Sequence, residues 1–148
     1  MTIEKAQKTD LRAILELQYL AYQSEARLFS DQNIPPLKQT LQELESEFEK
    51  GIILKAVDDN GNIIGSVRAY CENGSAFIGK LMVHPQSQGR GIGTMLLRAI
   101  EAELSDHRYE LFTSTKSISN IRLYERLGYR IFRQETITDE LQFVYLEK

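Results

Sequence analysis

With 148 residues, 42% of them hydrophobic and 26% charged, the chain can bury a sizeable core in one domain, and a disordered chain is excluded. No apolar run approaches the roughly 20 residues of a membrane span, and Met1-Thr2-Ile3-Glu4-Lys5 lacks the basic-then-apolar pattern of a secretory signal, so a cytoplasmic protein with no membrane partner is expected. The net charge of −3 lies in residues 1–50, where six Lys/Arg face nine Asp/Glu, while residues 51–148 carry twelve of each; the basic stripe of a nucleic-acid binder is missing.

Residues 2–6 read as a short first strand. Thr9 or Asp10 can cap a helix running to about residue 28, with Leu11, Ile14, Leu17, Ala21 and Leu28 on one stripe. Tyr19, Tyr22 and Glu25 stand off that stripe, either as an amphipathic surface or as part of a pocket. A loop is expected over 29–36, because Pro35-Pro36 opposes helix. A second helix follows over about 37–49, with Leu37, Leu41, Leu44 and Phe48 inward and Glu43, Glu45, Glu47 and Glu49 mostly toward solvent. The acidic first third suits a cationic amine, or is an ordinary solvated face.

Gly51 ends that helix and the pattern changes. Residues 52–57 are apolar and partly β-branched, Asp58-Asp59-Asn60-Gly61 is a hairpin turn, and 63–71 is the next strand. Glu72-Asn73-Gly74 turns the chain into a strand over 76–83, which completes an antiparallel meander. Cys71 is the single cysteine; it permits no intrachain disulfide, fits a reducing cytoplasm, and reads as a small buried hydrophobe. With two histidines and one cysteine, no cluster has metal-ligand spacing, so no metal cofactor is expected.

The most informative stretch comes next. Leu81-Met82-Val83 ends the apolar strand, His84-Pro85 marks a turn, and Gln88-Gly89-Arg90-Gly91-Ile92-Gly93 leads into a helix to about residue 105 with Ile92, Leu96, Ala99, Ile100 and Leu104 on one face. A glycine-rich strand-to-helix turn leaves backbone N–H groups free at the positive end of the helix, an anion site whose usual occupant is phosphate. A Walker loop needs a lysine after the glycines, and none follows. The dinucleotide fingerprint needs a third glycine where Thr94 stands, and it normally opens a chain. The form that fits is Gln/Arg-x-x-Gly-x-Gly/Ala. Beyond it, residues 109–113 form a strand that the crossover makes parallel to 76–83. Ser117 or Ser119 caps a further helix ended by Gly128, and 129–135 with 141–146 make a closing hairpin. With no repeat and no linker, residues 1–148 are expected to form a single domain.

The glycine loop, the segment Ser117-Ile118-Ser119-Asn120-Ile121-Arg122-Leu123-Tyr124-Glu125-Arg126-Leu127-Gly128-Tyr129, and the order of elements together resemble the Gcn5-related N-acetyltransferase (GNAT) family, over essentially the whole chain. The resemblance implies an α/β (α+β) fold: a mixed, mostly antiparallel sheet of six to seven strands, about four flanking helices, and a splayed parallel strand pair in the middle. It implies acetyl-CoA as cosubstrate. Gln88, Gly89, Arg90, Gly91, Ile92, Gly93 and Thr94 would hold its pyrophosphate, the backbone of Leu81, Met82 and Val83 its pantetheine arm, with Ser117, Asn120 and Tyr124 alongside.

The activity implied is N-acetyltransfer to a primary amine by direct attack. The amine must lose a proton to a base or a water chain, N–H donors from the splayed strand stabilise the developing oxyanion, and Tyr124 protonates the departing thiolate. Two positions depart from the family pattern. Ser117 stands where many relatives have asparagine, so Asn120 is expected to take over contact with the pantetheine amides. Ile78-Gly79-Lys80 carries no acid where relatives often place one, so the base is left among Glu25, Glu72, Glu110 and water. Tyr129 is expected in the core. The acceptor pocket is expected from about 19–40 and 130–142, with Tyr22 and Glu25 as substrate-binding candidates. Polyamines, amino acids, aminoglycosides and protein lysines all stay open as the small-molecule or peptide acceptor, and the sheet edge after Tyr109 leaves room for a homodimer. A non-catalytic coenzyme A sensor or interaction domain is the alternative, though a pure binder has no need of the phenol. A nucleotide-dependent oxidoreductase is disfavoured by the missing third glycine.

Overall fold

Short turns of Asp, Asn and Gly fold the middle of the chain back on itself twice. In the computed structural model, which describes residues 1–148, β2 (Ile52–Val57), β3 (Ile63–Glu72) and β4 (Ser75–Val83) form an antiparallel meander. Its turns place Gly61 and Gly74 at positive φ, where a side chain would be strained. β1 (Thr2–Lys5) adds to the outer edge of β2. Helix α5 (Ile92–Glu103) crosses over to β5 (Arg108–Ser114), which runs parallel to β4. After α6 (Ile118–Arg126), β6 (Arg130–Thr136) and β7 (Gln142–Glu147) close the chain as a hairpin. β7 inserts beside β5, giving the seven-stranded order β1-β2-β3-β4-β5-β7-β6, with β4–β5 the parallel pair in an otherwise antiparallel sheet.

The helices before β2 differ from the expectation in detail. The first is broken at Tyr22 (φ −85°, ψ 1°) into α1 (Leu11–Ala21) and α2 (Gln23–Phe29). The break turns Leu28 off the core stripe, and it lies 46% exposed instead of buried. Pro35 and Pro36 start a helical turn, α3 (Pro35–Lys38), rather than prevent one. At the first turn their missing N–H groups would have had no helical partner, and their fixed φ suits the helix. Extended Gln39 then separates α3 from α4 (Leu41–Lys50). Thr40 caps α4 by accepting from the Glu43 N–H at 3.1 Å while the Glu43 carboxylate accepts from the Thr40 N–H at 2.9 Å. The two expected helices are thus four helical segments.

Each face of the sheet carries its own core. α5 and α6 cover one face, where Leu96, Leu97 and Ile100 meet Leu54, Val67, Ile78 and Leu111. α1 and α4 cover the other, where Leu11, Ile14 and Leu44 meet Ile53 and Met82. Cys71 belongs to neither core. Expected to be buried, it is exposed, because the last residues of β3 run out beyond the helical cover.

Two irregularities in β4 prepare the site. It pairs with β5 only at Ser75↔Arg108, Ala76↔Tyr109 and Phe77↔Glu110, so beyond Phe77 the strands splay and the β5-facing edge of β4 has no strand partner. On the other side, Ser66 pairs with Met82 but Arg68 with Gly79, so Lys80 and Leu81 together oppose Val67. This is a bulge, and Lys80 stands in it at φ +51°.

Candidate functional site

The glycine loop sits where the splay opens. Gly89 and Gly91 have φ of +81° and +79°, and Gly91 occupies the N-cap of α5 with no side-chain cap. Helical N–H groups need outside partners at this end. Here no backbone N–H from residue 88 to 94 finds an acceptor within the chain, the first helical bond being Met95 N–H to Gly91 O at 3.1 Å. Gln88, Gly89, Arg90 and Gly91 are exposed, Ile92 is buried and anchors the helix, and Gly93 and Thr94 are half-buried. A Cβ on Gly93 would meet Leu123 of α6 at 3.6 Å and Val83 of β4 at 4.0 Å. The loop, the end of β4 and α6 therefore border one cleft. The open N–H groups and the unpaired strand edge suit a ligand with an anionic head and an amide-bearing arm.

Of the strand residues expected here, Leu81 and Val83 pack toward the α5–α6 core while Met82 is buried on the opposite face. Only their backbone can serve the cleft. Ser117 stands at the start of α6, half-buried, and Asn120 lies exposed one turn on.

Tyr124 and Tyr129 are both buried, at 6% and 3% exposure, and their rings approach to 6.1 Å. Their hydroxyls differ. Tyr129 donates to the Glu101 carboxylate at 2.7 Å, as a core aromatic with a satisfied tip does. Tyr124 has no protein partner of this kind and instead lies near Tyr22 and Glu25. Burial, and then the charge of Glu25, hold both Tyr22 and Tyr124 well above the ordinary phenol range, so each keeps its proton. Burial also pushes the Glu25 carboxyl up, against the pull of Lys80 and the Ser117 hydroxyl. Glu72 lies exposed at the end of β3, and Glu110 is tied to Arg108 at 2.9 Å. Of the carboxylates considered, Glu25 is the one near Tyr124.

Sequence reasoning missed the polar network behind these groups. Arg68 of β3 is 5% exposed. It binds the Glu47 carboxylate at 2.5 Å, Gln39 at 3.3 Å, and the buried Gln18 side chain. Gln18 donates onward to Pro36 O at 2.8 Å, and Tyr19 donates to Gln39 O. The network ties α1, α3, α4 and β3 together and fixes the wall formed by residues 35–39. Glu47 lies on the solvated face that its spacing predicts, and its Arg68 partner sits on another element, which periodicity does not register. Lys80 emerges from its bulge beside this wall. Burial lowers its pKa, with the Arg68 charge adding to the effect.

Two hollows flank the group. One, of about 280 Å³, is lined by Pro35, Lys38, Gln39, Glu43 and Lys80. The other, of about 520 Å³, lies between the end of α2, the start of the β5–α6 connection and the β6–β7 turn, with Phe29, Lys116 and Glu140 in its walls. The acceptor segments expected around 19–40 and 130–142 do meet there.

Comparison with known proteins agrees with this geometry. The profile of the acetyltransferase (GNAT) domain matches residues 49–131. The UPF0157 protein YqkA of Bacillus subtilis is 25% identical over 136 residues, which is 91% of this chain and 38% of that protein, so the chain spans well under half of that relative's length. The ribosomal-protein-S18-alanine N-acetyltransferase of Escherichia coli superposes with a TM-score of 0.81 at 19% identity, covering 99% of this chain and 91% of that one. The GNAT superfamily phosphinothricin acetyltransferase of Sinorhizobium meliloti, solved in complex with AcCoA, gives 0.79 at 18% identity, with 99% and 86% covered. These likenesses establish the fold. The profile match takes in β4, the glycine loop and α6, which are the elements around the cleft. The chain belongs to the GNAT acetyltransferase family.

Proposed function

We propose that this protein transfers an acetyl group from acetyl-CoA to a primary amine. The observation that carries this reading is the open glycine loop at the mouth of the β4–β5 splay, with Tyr124 beside it. The N–H groups of residues 88–94, on a frame of Gln88, Gly89, Arg90, Gly91, Ile92, Gly93 and Thr94, bind the pyrophosphate at the positive end of α5. The unpaired edge of β4 at Leu81, Met82 and Val83 receives the amides of the pantetheine arm, as a neighbouring strand would. Ser117 and Asn120 at the start of α6 face the same arm. When bound, acetyl-CoA supplies an activated thioester.

The residues around that thioester divide two proton tasks. The Glu25 carboxylate takes a proton from the acceptor ammonium, and its raised pKa brings it closer to the working pH, where a base is most effective. The neutral amine attacks the carbonyl carbon, the N–C bond forms and the C–S bond breaks. Tyr124, held protonated by burial, gives its proton to the departing sulfur. The new amide nitrogen loses its extra proton to the phenolate, and Glu25 releases the first proton to solvent. Tyr22, near Glu25 and Tyr124, is assigned to the amine side.

The test is calorimetry with acetyl-CoA, followed by a thiol-release assay over a panel of amines with wild type and Tyr124→Phe. Micromolar binding is expected, with kcat falling about 10²–10⁴-fold in the variant, the usual span for a lost general acid. Binding without turnover of any amine would favour a coenzyme A sensor. Absence of binding would overturn the reading altogether.

A further inference from the structure

The hollow under α3 has an unusual charge arrangement. Its walls present two lysines, Lys38 and Lys80, and one carboxylate, Glu43. Glu43 is taken up by the α4 cap, where it accepts from the Thr40 N–H and hydroxyl. Lys80 is half-buried on a bulged strand, and neither a hydrogen bond nor an ion pair holds its ammonium. The other charges near it are also accounted for. Glu47 is engaged by Arg68 at 2.5 Å and by Gln39 at 2.9 Å, and Arg68 adds a further cation. Glu25, near Tyr124, and Lys80, in the wall of the hollow, lie close enough to act on each other's charge yet make no ion pair.

A half-buried ammonium without a counter-ion costs free energy, and a ligand carboxylate relieves that cost. A group that also carries an amine for Glu25 would engage both charges. We infer that the acceptor is an amino acid or a close analogue, whose amine faces Glu25 and whose carboxylate is held by Lys80 and Lys38. Lys38 is exposed on α3 and closes over the carboxylate from the mouth of the hollow, while Lys80 supplies the buried contact. The wall that carries Lys38 is held in place by the hydrogen bonds of Gln18 to Pro36 and Gln39, which keeps its backbone beside the hollow. This assignment rests on the acetyltransferase reading for the amine end, but its carboxylate end stands alone.

Two measurements keep the two apart. The first needs no turnover. The lysines are dimethylated with ¹³C-formaldehyde, the Lys80 and Lys38 resonances are assigned with Lys80→Arg and Lys38→Arg, and N-acetylglycine or its amide is titrated in. Saturable shifts at these two lysines with the acid and not with the amide are expected. Equal response to both probes, or to neither at 100 mM (about the concentration at which even a weak carboxylate site fills), overturns the carboxylate site. The second is thiol release with single amino acids against the same amino acids as carboxamides. The acids should show kcat/KM at least tenfold higher, and Lys80→Met should abolish the preference by raising KM for the acids with little change in kcat. Amides or plain monoamines that work as well as acids in wild type overturn the inference while leaving the acetyltransferase intact. A carboxylate-specific NMR response with no turnover of any amine sinks the transferase instead and leaves the carboxylate site standing.

Discussion

Glu25 reaches the cleft because the first helix breaks one turn before it, at Tyr22. Its desolvated carboxyl must be ionised to accept a proton from the amine, so its protonated form is the inactive one. With a pKa above the ordinary carboxylate range, kcat/KM should rise as pH increases through that raised value and then level. Glu25→Gln should remove this acid limb and lower kcat; a pH–rate profile of both proteins checks it, and an unchanged limb would move the base elsewhere. Arg68 is different in kind. Replacing it with alanine leaves Glu47 to solvent but takes the donor from the buried Gln18 carbonyl, so the expected result is a loss of about 1–3 kcal/mol in urea unfolding. The two residues also mark how far the sequence could be read. Tyr22 and Glu25 stand out as polar residues off an apolar stripe, a local signal. Arg68 carries no such mark, since its partners lie on α1, the α3–α4 connection and α4, and only the tertiary fold brings them to it.

Elements were legible where their cause is local. The meander follows from alternating apolar residues between Asp-Asn-Gly turns, and the start of α5 follows from glycines that leave N–H groups exposed. The break at Tyr22 was not legible, because the residues on either side are good helix formers and tertiary packing decides the turn. The Pro35 helical turn was legible in principle, since proline suits a first turn, but two adjacent prolines read more simply as a loop. Gly51 illustrates an element junction that is fixed sterically. A Cβ there would lie 2.2 Å from the Ala69 carbonyl oxygen, so α4 can end against β3 only at a residue without one. Gly51→Ala should cost about 1–3 kcal/mol through the backbone shift it forces, measurable as a lower urea midpoint at unchanged m. At Gly91 space is open and only the left-handed φ resists a side chain. Gly91→Ala should therefore weaken acetyl-CoA binding while lowering stability by only about 1–2 kcal/mol.

At the scale of the molecule, the sheet is two halves joined by a short seam. β1–β4 on one side and β5–β7 on the other meet through the pairs from Ser75 to Phe77, and the rest of the junction is cleft. A ligand lying along the β4 edge takes the place of the missing strand contacts. Acetyl-CoA at about 100 times its Kd should add about 2.7 kcal/mol of apparent stability. In hydrogen exchange the added protection should fall on β4 and on the first turns of α5 and α6; protection confined to β1 and β2 would mean that the ligand binds elsewhere.

The bulge in β4 has a consequence for anyone who tries to make this protein hardier. Lys80 holds a left-handed backbone at φ +51° and half-buries a charge, two features that oppose folding. Glycine relieves both at once, so Lys80→Gly should melt at a higher temperature than wild type. A library sorted for heat resistance alone would therefore converge on glycine at this position. The survivors would be sturdier proteins that had lost their grip on the acceptor, and only a sort that also rewards turnover would keep the lysine.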